Sequence, residues 1–238
     1  MILYYIRHGE PIYDPDCLTE LGHKQAEAVS KRLALYGVDE IYSSTSIRAM
    51  QTAEPTAKLL GKEIKPLDWA HEHKAAYYFG TTVEGKWGWS FFLQDYLRKY
   101  NDPEVIAMGN KWYEHPHFKG EIFGEGCKMV EEETDKWMLS LGYKHDRENR
   151  RYSVVEKNEK RVAFFAHHGF GMAFLSALLD IPFPIVCTTF DMSHTGMSVI
   201  RFGGDAGEWV YPKLLQLSND SHLYKEGLMM GYHGQIDI

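Results

Sequence analysis

The chain has 238 residues, 44% hydrophobic and 25% charged, which is enough to bury a sizeable core in one domain. Its formal net charge of −7 argues against nucleic acid or an anionic membrane as the main partner. The three cysteines lie far apart, and no apolar stretch is long enough for a membrane helix. The first residues do not match a signal peptide. We therefore expect a cytoplasmic protein with neither a nucleic-acid nor a membrane partner.

The first part of the sequence alternates apolar strand patterns with helical ones. The predicted elements are a strand at 2–6, a helix from 19 to 37, a strand at 38–42, a helix at 47–60 and a strand at 63–67. A serine-rich loop at 43–46 is expected to cap the second helix. Pro55 lies inside that helix and predicts a kink or a break there.

Residues 69–158 differ in composition from the first part of the sequence and are rich in aromatic side chains. Helical patterns are predicted near 86–100 and 126–142, and the polar stretch 144–160 predicts an exposed hairpin or loop. The remaining predicted elements are a strand at 161–166, a helix at 169–179 and a strand at 197–202. Strands that alternate with helices predict an α/β layered sheet, with 69–158 as a mainly helical insertion covering one end.

Basic side chains follow three of these strands. Arg7 and His8 come directly after the first strand, where a histidine can act as a nucleophile toward phosphorus and an arginine can hold phosphate oxygens. Arg48 lies in the first turn of the helix after the second strand, and His167-His168 follows the strand at 161–166. Each feature alone has an ordinary alternative, such as a solvated face of a helix. Together they predict several donors that converge on a phosphate dianion.

Several motifs occur in the order found in one known family. Arg7-His8-Gly9-Glu10 resembles the RHGE motif of the histidine phosphatase (phosphoglycerate mutase-like) superfamily, and 18–26 resembles its LTxxGxxQA segment. Residues 44–53 are similar to its SxxxRAxQTA motif, and His168-Gly169 resembles its second His-Gly. Residues 219–223, Asn-Asp-Ser-His-Leu, resemble a late element of the family in which an Asn-Asp pair precedes His-Leu. The resemblance implies one domain over 1–238, with a three-layer α/β/α sandwich, a mostly parallel central sheet and 69–158 as an inserted, mainly helical cap.

The resemblance also implies roles for individual residues. His8 is expected to be the phosphoryl-accepting nucleophile, and Arg7, Arg48, His168 and the Gly169 N–H are expected to bind the phosphate. His168 then counts among the catalytic residues, whereas His167 is expected to act only through its neighbours. The general acid of the family matches Glu72 best, with Glu84 as an outer, structural carboxylate.

Other features restrict the choice of ligand. Asp14 stands where mutases of the family usually have an asparagine, so we interpret it as a loop residue or as a selector for a positively charged substrate group. The pairs His71-x-His73 and His115-x-His117 suggest metal ligands, but chance pairs are expected among 12 histidines. We therefore expect neither a metal nor a cofactor.

The leading hypothesis is a metal-independent phosphatase that hydrolyses a small phosphomonoester through a phosphohistidine on His8. One alternative is an isomerase of the phosphoglycerate mutase type, and another is a non-catalytic module that binds phosphorylated ligands. The stretch 74–89 contains only Lys74 and Lys86 as cations and is otherwise aromatic or small. A binding site lined by such residues favours a substrate whose organic part is neutral over a phosphoglycerate, which carries a carboxylate. The sequence leaves the oligomeric state open.

Overall fold

The computed structural model of the protein describes residues 1–232. This part of the chain forms thirteen strands and nine α-helices. The strands are β1 Ile2–Arg7, β2 Pro11–Tyr13, β3 Asp16–Leu18, β4 Glu40–Ser44, β5 Ile64–Leu67, β6 Gly80–Val83, β7 Lys86–Trp89, β8 Tyr143–Asp146, β9 Arg151–Val154, β10 Arg161–Ala166, β11 Met197–Arg201, β12 Trp209–Val210 and β13 Lys213–Asn219. The helices are α1 Glu20–Tyr36, α2 Ile47–Leu60, α3 Glu72–Phe79, α4 Gln94–Tyr100, α5 Pro103–Ala107, α6 Phe123–Ser140, α7 His168–Leu179, α8 Phe183–Thr189 and α9 Ser221–Lys225.

A six-stranded sheet lies at the centre, in the order β13-β11-β1-β10-β4-β5. β1, β10, β4 and β5 pair in parallel, whereas β11 and β13 add an antiparallel edge. The mostly parallel central sheet flanked by helices confirms the predicted α/β/α fold.

Side chains of the central strands alternate between two apolar cores, because successive residues of a strand point to opposite faces. Tyr5 and Phe164 pack on one face with Phe174 of α7. Ile6 and Phe165 belong to the core on the other face, which contains Val29 and Leu33 of α1 and Ala53 and Ala57 of α2. Each large apolar side chain buried in this way contributes on the order of 1.5–3 kcal/mol, so both helical layers are held to the sheet.

The carboxyl ends of the parallel strands meet at one edge of the sheet. Arg7 at the end of β1 is in register with Ala166 at the end of β10, and Phe165 is in register with Ser43 of β4. The residues that follow these strand ends are therefore neighbours in space, which is where open α/β sheets bind ligands.

Two local predictions differ from the structure. Residues 86–89 form a strand that pairs with β6, and helix α4 begins only at Gln94. The hairpin turns at Glu84 and Gly85, whose φ angles of 51° and 77° provide the left-handed pair that a tight hairpin requires. Of the kink or break expected at Pro55, the break is absent from the described helix, because α2 continues from Ile47 to Leu60.

The stretch 69–158 contains helices α3–α6 together with the hairpins β6–β7 and β8–β9. The second hairpin lies within the segment that was predicted as an exposed hairpin or loop. The assignment of this stretch as one cap within a single domain over 1–238 stays a prediction. Residues 233–238 of that predicted domain lie outside the described residues. Among residues 1–232, no helix combines the length and apolarity needed to cross a membrane.

Candidate active site

His8 lies buried immediately after β1, with 3% of its surface exposed. Its Nδ1 is 2.7 Å from the carbonyl oxygen of Gly9. Because a carbonyl can only accept a hydrogen bond, Nδ1 carries the proton and the lone pair resides on Nε2. Burial, together with the neighbouring His167, Arg7 and Arg48, lowers the pKa of His8 well below its usual range. The imidazole is thus neutral at physiological pH and has the electronic state of a nucleophile.

Arg7 is held by the loop between α8 and β11. Its guanidinium donates to the carbonyl of Met192 and, at 2.9 Å, to Nε2 of His194. The ring of His194 is 6.0 Å from that of His8, centroid to centroid. Thr195 of the same loop donates its backbone N–H to the carbonyl of His8, at 3.2 Å. One loop therefore fixes both residues of the Arg7-His8 pair.

Residues 219–222 of the late sequence element form hydrogen bonds with that loop. Ser193 donates to Asp220 at 2.8 Å, and the hydroxyl of Thr195 lies 3.0 Å from Nε2 of His222. Arg32 of α1 binds the side chain of Asn219 at 2.6 Å. The motif residues at 219–222 therefore position the loop that holds Arg7, without lining the site themselves.

Arg48 enters the site from the first turn of α2. Ser46 caps this helix, accepting the N–H of Ala49. Arg48 forms an ion pair with Asp16, with Nη1 2.7 Å from Oδ1, and the other carboxylate oxygen of Asp16 accepts the N–H of Ile47. The side chain of Arg48 is only 7% exposed, so its charge is concentrated inside the site.

The two consecutive histidines after β10 occupy different places. The ring of His167 lies 5.3 Å from that of His8, as expected from the register of β1 and β10. Its Nε2 is 2.7 Å from the hydroxyl of Ser44. His168 begins α7, with its Nε2 2.8 Å from Asp191 and its ring stacked on Phe92.

Glu72, at the start of α3, points at the N-terminus of α7. Its carboxylate accepts the N–H of Gly169 at 3.0 Å and that of Phe170 at 3.4 Å. The side chain is 13% exposed. Burial raises the pKa of Glu72 to about 7, against the opposing effects of Arg48 and the two N–H donors. A carboxyl group that titrates near neutrality can exchange a proton with a substrate at physiological pH.

Several buried donors converge here without using their hydrogen-bonding capacity. Nε of Arg7, Nε of Arg48 and Nδ1 of His167 have no hydrogen-bond partner among residues 1–232. Nδ1 of His167 lies 3.7 Å from the nearer Glu72 oxygen, too far for a hydrogen bond. Buried polar groups are nearly always satisfied in proteins, so a cluster of three unsatisfied nitrogen donors indicates a site for an anion.

Arg7, Arg48 and Glu72 border a cavity of about 590 Å³. Its inner end carries Arg7, His8, Arg48, Glu72 and His168, and Gly169 also lines it. Its outer wall is aromatic and comes from the β6–β7 hairpin and the segment after it. The wall residues are Trp87, Trp89, Phe92 and Leu93, with Tyr13 on the opposite side.

The structure brings together the site residues expected from the sequence and separates others from them. Glu84 lies exposed at the tip of the β6–β7 hairpin, and Asp14 lies exposed in the β2–β3 turn, outside the residues that line the cavity. His71 and His115 each cap a short helix by accepting the N–H of the second histidine of their pair. Within the described chain, no group of three or more His, Cys, Asp or Glu side chains is placed to hold a metal.

The sequence reasoning missed three residues of the site, Asp16, Asp191 and His194, and did not place His167 beside His8. Asp16 is two positions from the Asp14 that was considered, and only the fold of the β2–β3 hairpin shows which carboxylate meets Arg48. Asp191 and His194 lie in an irregular loop that carries no periodic signal. The position of His167 beside His8 follows from strand register, which no single strand reveals.

Comparison with known proteins agrees with this architecture. The sequence model described as "Histidine phosphatase superfamily (branch 1)" matches residues 3–85, which include the Arg7-His8 and Arg48 motifs. A search of curated proteins finds no match.

Solved structures that match more than nine tenths of the chain include three phosphatases. A phosphoserine phosphatase from Entamoeba histolytica is 19% identical, with a TM-score of 0.60 and coverage of 93% of this chain and 98% of that chain. A mycobacterial glucosyl-3-phosphoglycerate phosphatase is 19% identical, with a TM-score of 0.58 and coverage of 91% and 98%. The alpha-ribazole phosphatase of Shigella flexneri is 18% identical, with a TM-score of 0.59 and coverage of 92% and 97%.

At sequence identities of 18–19%, the structural similarity establishes the fold alone. The family model that matches residues 3–85 adds evidence from the sequence motifs. Residues 3–85 therefore match the histidine phosphatase superfamily, the chain shares its fold with these three phosphatases, and the resemblance inferred from the sequence is confirmed.

Proposed function

We propose that this protein is a metal-independent phosphatase that hydrolyses small phosphomonoesters through a phosphohistidine on His8. The observation that carries the proposal is the convergence of unsatisfied donors from Arg7, Arg48 and His167 beside a neutral His8. A phosphate dianion in the cavity would satisfy these donors and lie next to the free Nε2 lone pair. Two arginines would supply the charge stabilisation that a metal ion supplies in other phosphatases.

In the first step, Nε2 of His8 attacks phosphorus while Arg7 and Arg48 hold the phosphate oxygens. The phosphorus–oxygen bond to the leaving group breaks, and protonated Glu72 gives its proton to that oxygen. His168, which lines the cavity, completes the phosphate ligands. The N–H of Gly169 donates to Glu72 in this structure and joins that set when the phosphate takes the place of the carboxylate oxygen.

In the second step, a water molecule attacks the phosphohistidine. The carboxylate of Glu72, now deprotonated, accepts a proton from that water, and inorganic phosphate is released with His8 restored. Glu72 thus serves first as an acid and then as a base, a dual task for which a pKa of about 7 is well suited.

We also assign a role to His167. The hydroxyl of Ser44 can donate to its Nε2, which leaves the proton on Nδ1, the atom on the Glu72 side of the ring. That Nδ1–H is a further donor for the phosphoryl group during transfer, adjacent to His8. His168 binds the phosphate from the cavity wall, and His167 stabilises the group from the sheet edge.

The named relatives of similar fold support hydrolysis as the outcome. All three are phosphatases, and a mutant of the Entamoeba histolytica enzyme was crystallised with phosphoserine. The three cysteines here are free thiols, which fits the reducing cytoplasm, where we place the protein.

The test is phosphate release from a panel of phosphomonoesters, measured in excess chelator with the wild type, His8→Ala and His23→Ala. His23 is an exposed histidine on α1 and serves as the matched control. We expect release by the wild type and by His23→Ala, and none above background by His8→Ala. Release by His8→Ala at the wild-type rate contradicts the mechanism. Binding of phosphate without release from any ester would identify a non-catalytic module instead.

A further inference from the structure

The aromatic wall of the cavity adjoins the proton donor. A Cβ built on Gly169 would lie 2.5 Å from Cη2 of Trp89 and 2.8 Å from Oε1 of Glu72. The indole edge and the carboxylate oxygen therefore flank the same side of Gly169. Whatever accepts the proton of Glu72 lies beside the ring of Trp89.

That arrangement fixes where the leaving group of a substrate sits. A leaving oxygen must come within about 2.6–3.2 Å of the acid that protonates it. The first atoms bonded to that oxygen then meet Trp89, and those farther out meet Trp87. The organic part of the substrate is thus placed against two indole rings, beginning one or two bonds from the leaving oxygen.

The two tryptophans are held in place by their hairpin. They are two residues apart on β7 and so share a face of the strand. Trp89 is stacked on the buried Phe91, with ring centroids 5.2 Å apart and an interplanar angle of 27°. Trp87 fits over β6 because position 80 is glycine, where a Cβ would lie 2.6 Å from the indole ring. The two indole rings lie 5.8 Å apart, centroid to centroid, at 63° to each other, so together they present both a ring face and a ring edge to an aromatic ligand.

The guanidinium groups of the described cavity lining are confined to the phosphate end. Of the described residues that line the cavity, Arg7 and Arg48 are the only lysines or arginines. Asp16, paired with Arg48, adds a negative charge beside them. A second anionic group on the substrate would therefore meet aromatic rings, a carboxylate and the imidazoles of His71 and His73, with no further lysine or arginine among the described lining residues to receive it.

We propose that the substrate is a phosphomonoester whose ester oxygen is joined, directly or through one carbon, to an uncharged aromatic ring. The proposal rests on the proposed function for its assignment of the phosphate end, and it identifies Trp89 and Trp87 as the residues that determine specificity. Aromatic pairs prefer offset or edge-to-face contact, which indole walls offer and which a puckered aliphatic ring matches poorly.

The test uses two phosphonates that cannot be hydrolysed, 2-phenylethylphosphonate and 2-cyclohexylethylphosphonate, which differ only in the planarity of the ring. Their dissociation constants are measured by calorimetry with the wild type, Trp89→Leu, Trp87→Leu and Trp209→Leu. Trp209 is 51% exposed, lies outside the cavity lining and serves as the control. Trp87 is 57% exposed, so its variant tests the wall even where Trp89→Leu fails to fold.

We expect the wild type and Trp209→Leu to prefer the phenyl compound on the order of tenfold, and each wall variant to lose most of that preference. Equal binding of the two compounds, binding of neither, or a preference that survives both wall variants overturns the proposal. Hydrolysis of benzyl phosphate is measured in parallel. Phosphate release without a ring preference would refute this inference alone, whereas a ring preference without release from any ester would refute the proposed function.

Discussion

Replacement of Glu72 by glutamine removes the carboxyl group whose pKa is raised, and so tests how that pKa affects the stability of the fold. Its pKa of about 7 in the folded protein exceeds the ordinary value of 4.5. The folded state therefore holds the proton more tightly than the unfolded state. This contribution to stability is fully present below pH ~4.5 and is lost as the pH rises through ~7. The full shift corresponds to about 3 kcal/mol, of which roughly 2 kcal/mol falls between pH 5.5 and pH 8.5.

The assay is urea unfolding of the wild type and Glu72→Gln at those two pH values. The amide of glutamine can still accept the N–H groups of Gly169 and Phe170, but it does not titrate. The free energy of unfolding of the wild type should therefore fall by roughly 2 kcal/mol relative to the variant between pH 5.5 and pH 8.5. Glu84→Gln is the matched control, because Glu84 is an exposed glutamate at the hairpin tip. It should follow the wild type.

The same variant has a kinetic consequence. Loss of one well-placed acid lowers kcat by about 10²–10⁴-fold. For an alkyl phosphate, the kcat of the wild type should decline as the pH rises above ~7. The kcat of Glu72→Gln should not show this decline. A phosphate ester with a good leaving group should depend less on Glu72. A pH-independent difference in stability, or a larger loss of kcat in Glu84→Gln, would refute the assignment of the proton to Glu72.

Three further outcomes follow from the geometry of the site. Asp16→Asn should tighten the binding of inorganic phosphate by roughly fivefold, measured by calorimetry, because the carboxylate competes for Arg48; weaker binding would mean that Asp16 serves only to position Arg48. His168→Asn should raise the dissociation constant of inorganic phosphate, whereas His167→Asn should mainly lower kcat; the reverse pattern would exchange the two roles. With 3-phosphoglycerate, with or without a 2,3-bisphosphoglycerate primer, any product should be free phosphate, whereas rapid conversion to 2-phosphoglycerate would identify a mutase.

The features that the sequence predicted well depend on local patterns. β1 is a short apolar run that ends at Arg7-His8, and α1 has a threonine cap, apolar spacing and a terminal glycine. Each signal lies within a few residues, so it can be recognised without knowledge of the rest of the fold. The mostly parallel sheet followed from the alternation of such elements and from the family resemblance.

Other features arise from pairings between distant segments. Asp16 and Arg48 are 32 residues apart in the chain, and their ion pair depends on how the β2–β3 hairpin folds over α2. The aromatic residues from Trp87 to Tyr100 have a spacing of two in β7 and of four in α4, so the turn residues Glu84 and Gly85 were the better guide to the β6–β7 hairpin. The following glycine favoured His168 in the sequence, whereas the sheet register places His167 beside His8.

The most direct test of the central claim is to trap the phosphoenzyme. The wild type is mixed with a phosphomonoester that it hydrolyses, quenched within a fraction of a turnover and digested at alkaline pH, at which phosphohistidine is stable. Mass spectrometry should find one phosphoryl group on the peptide that contains His8, and that group should disappear after acid treatment and be absent in His8→Ala. Phosphate release at full rate with no modification of His8, or with an acid-stable modification elsewhere, would contradict the account.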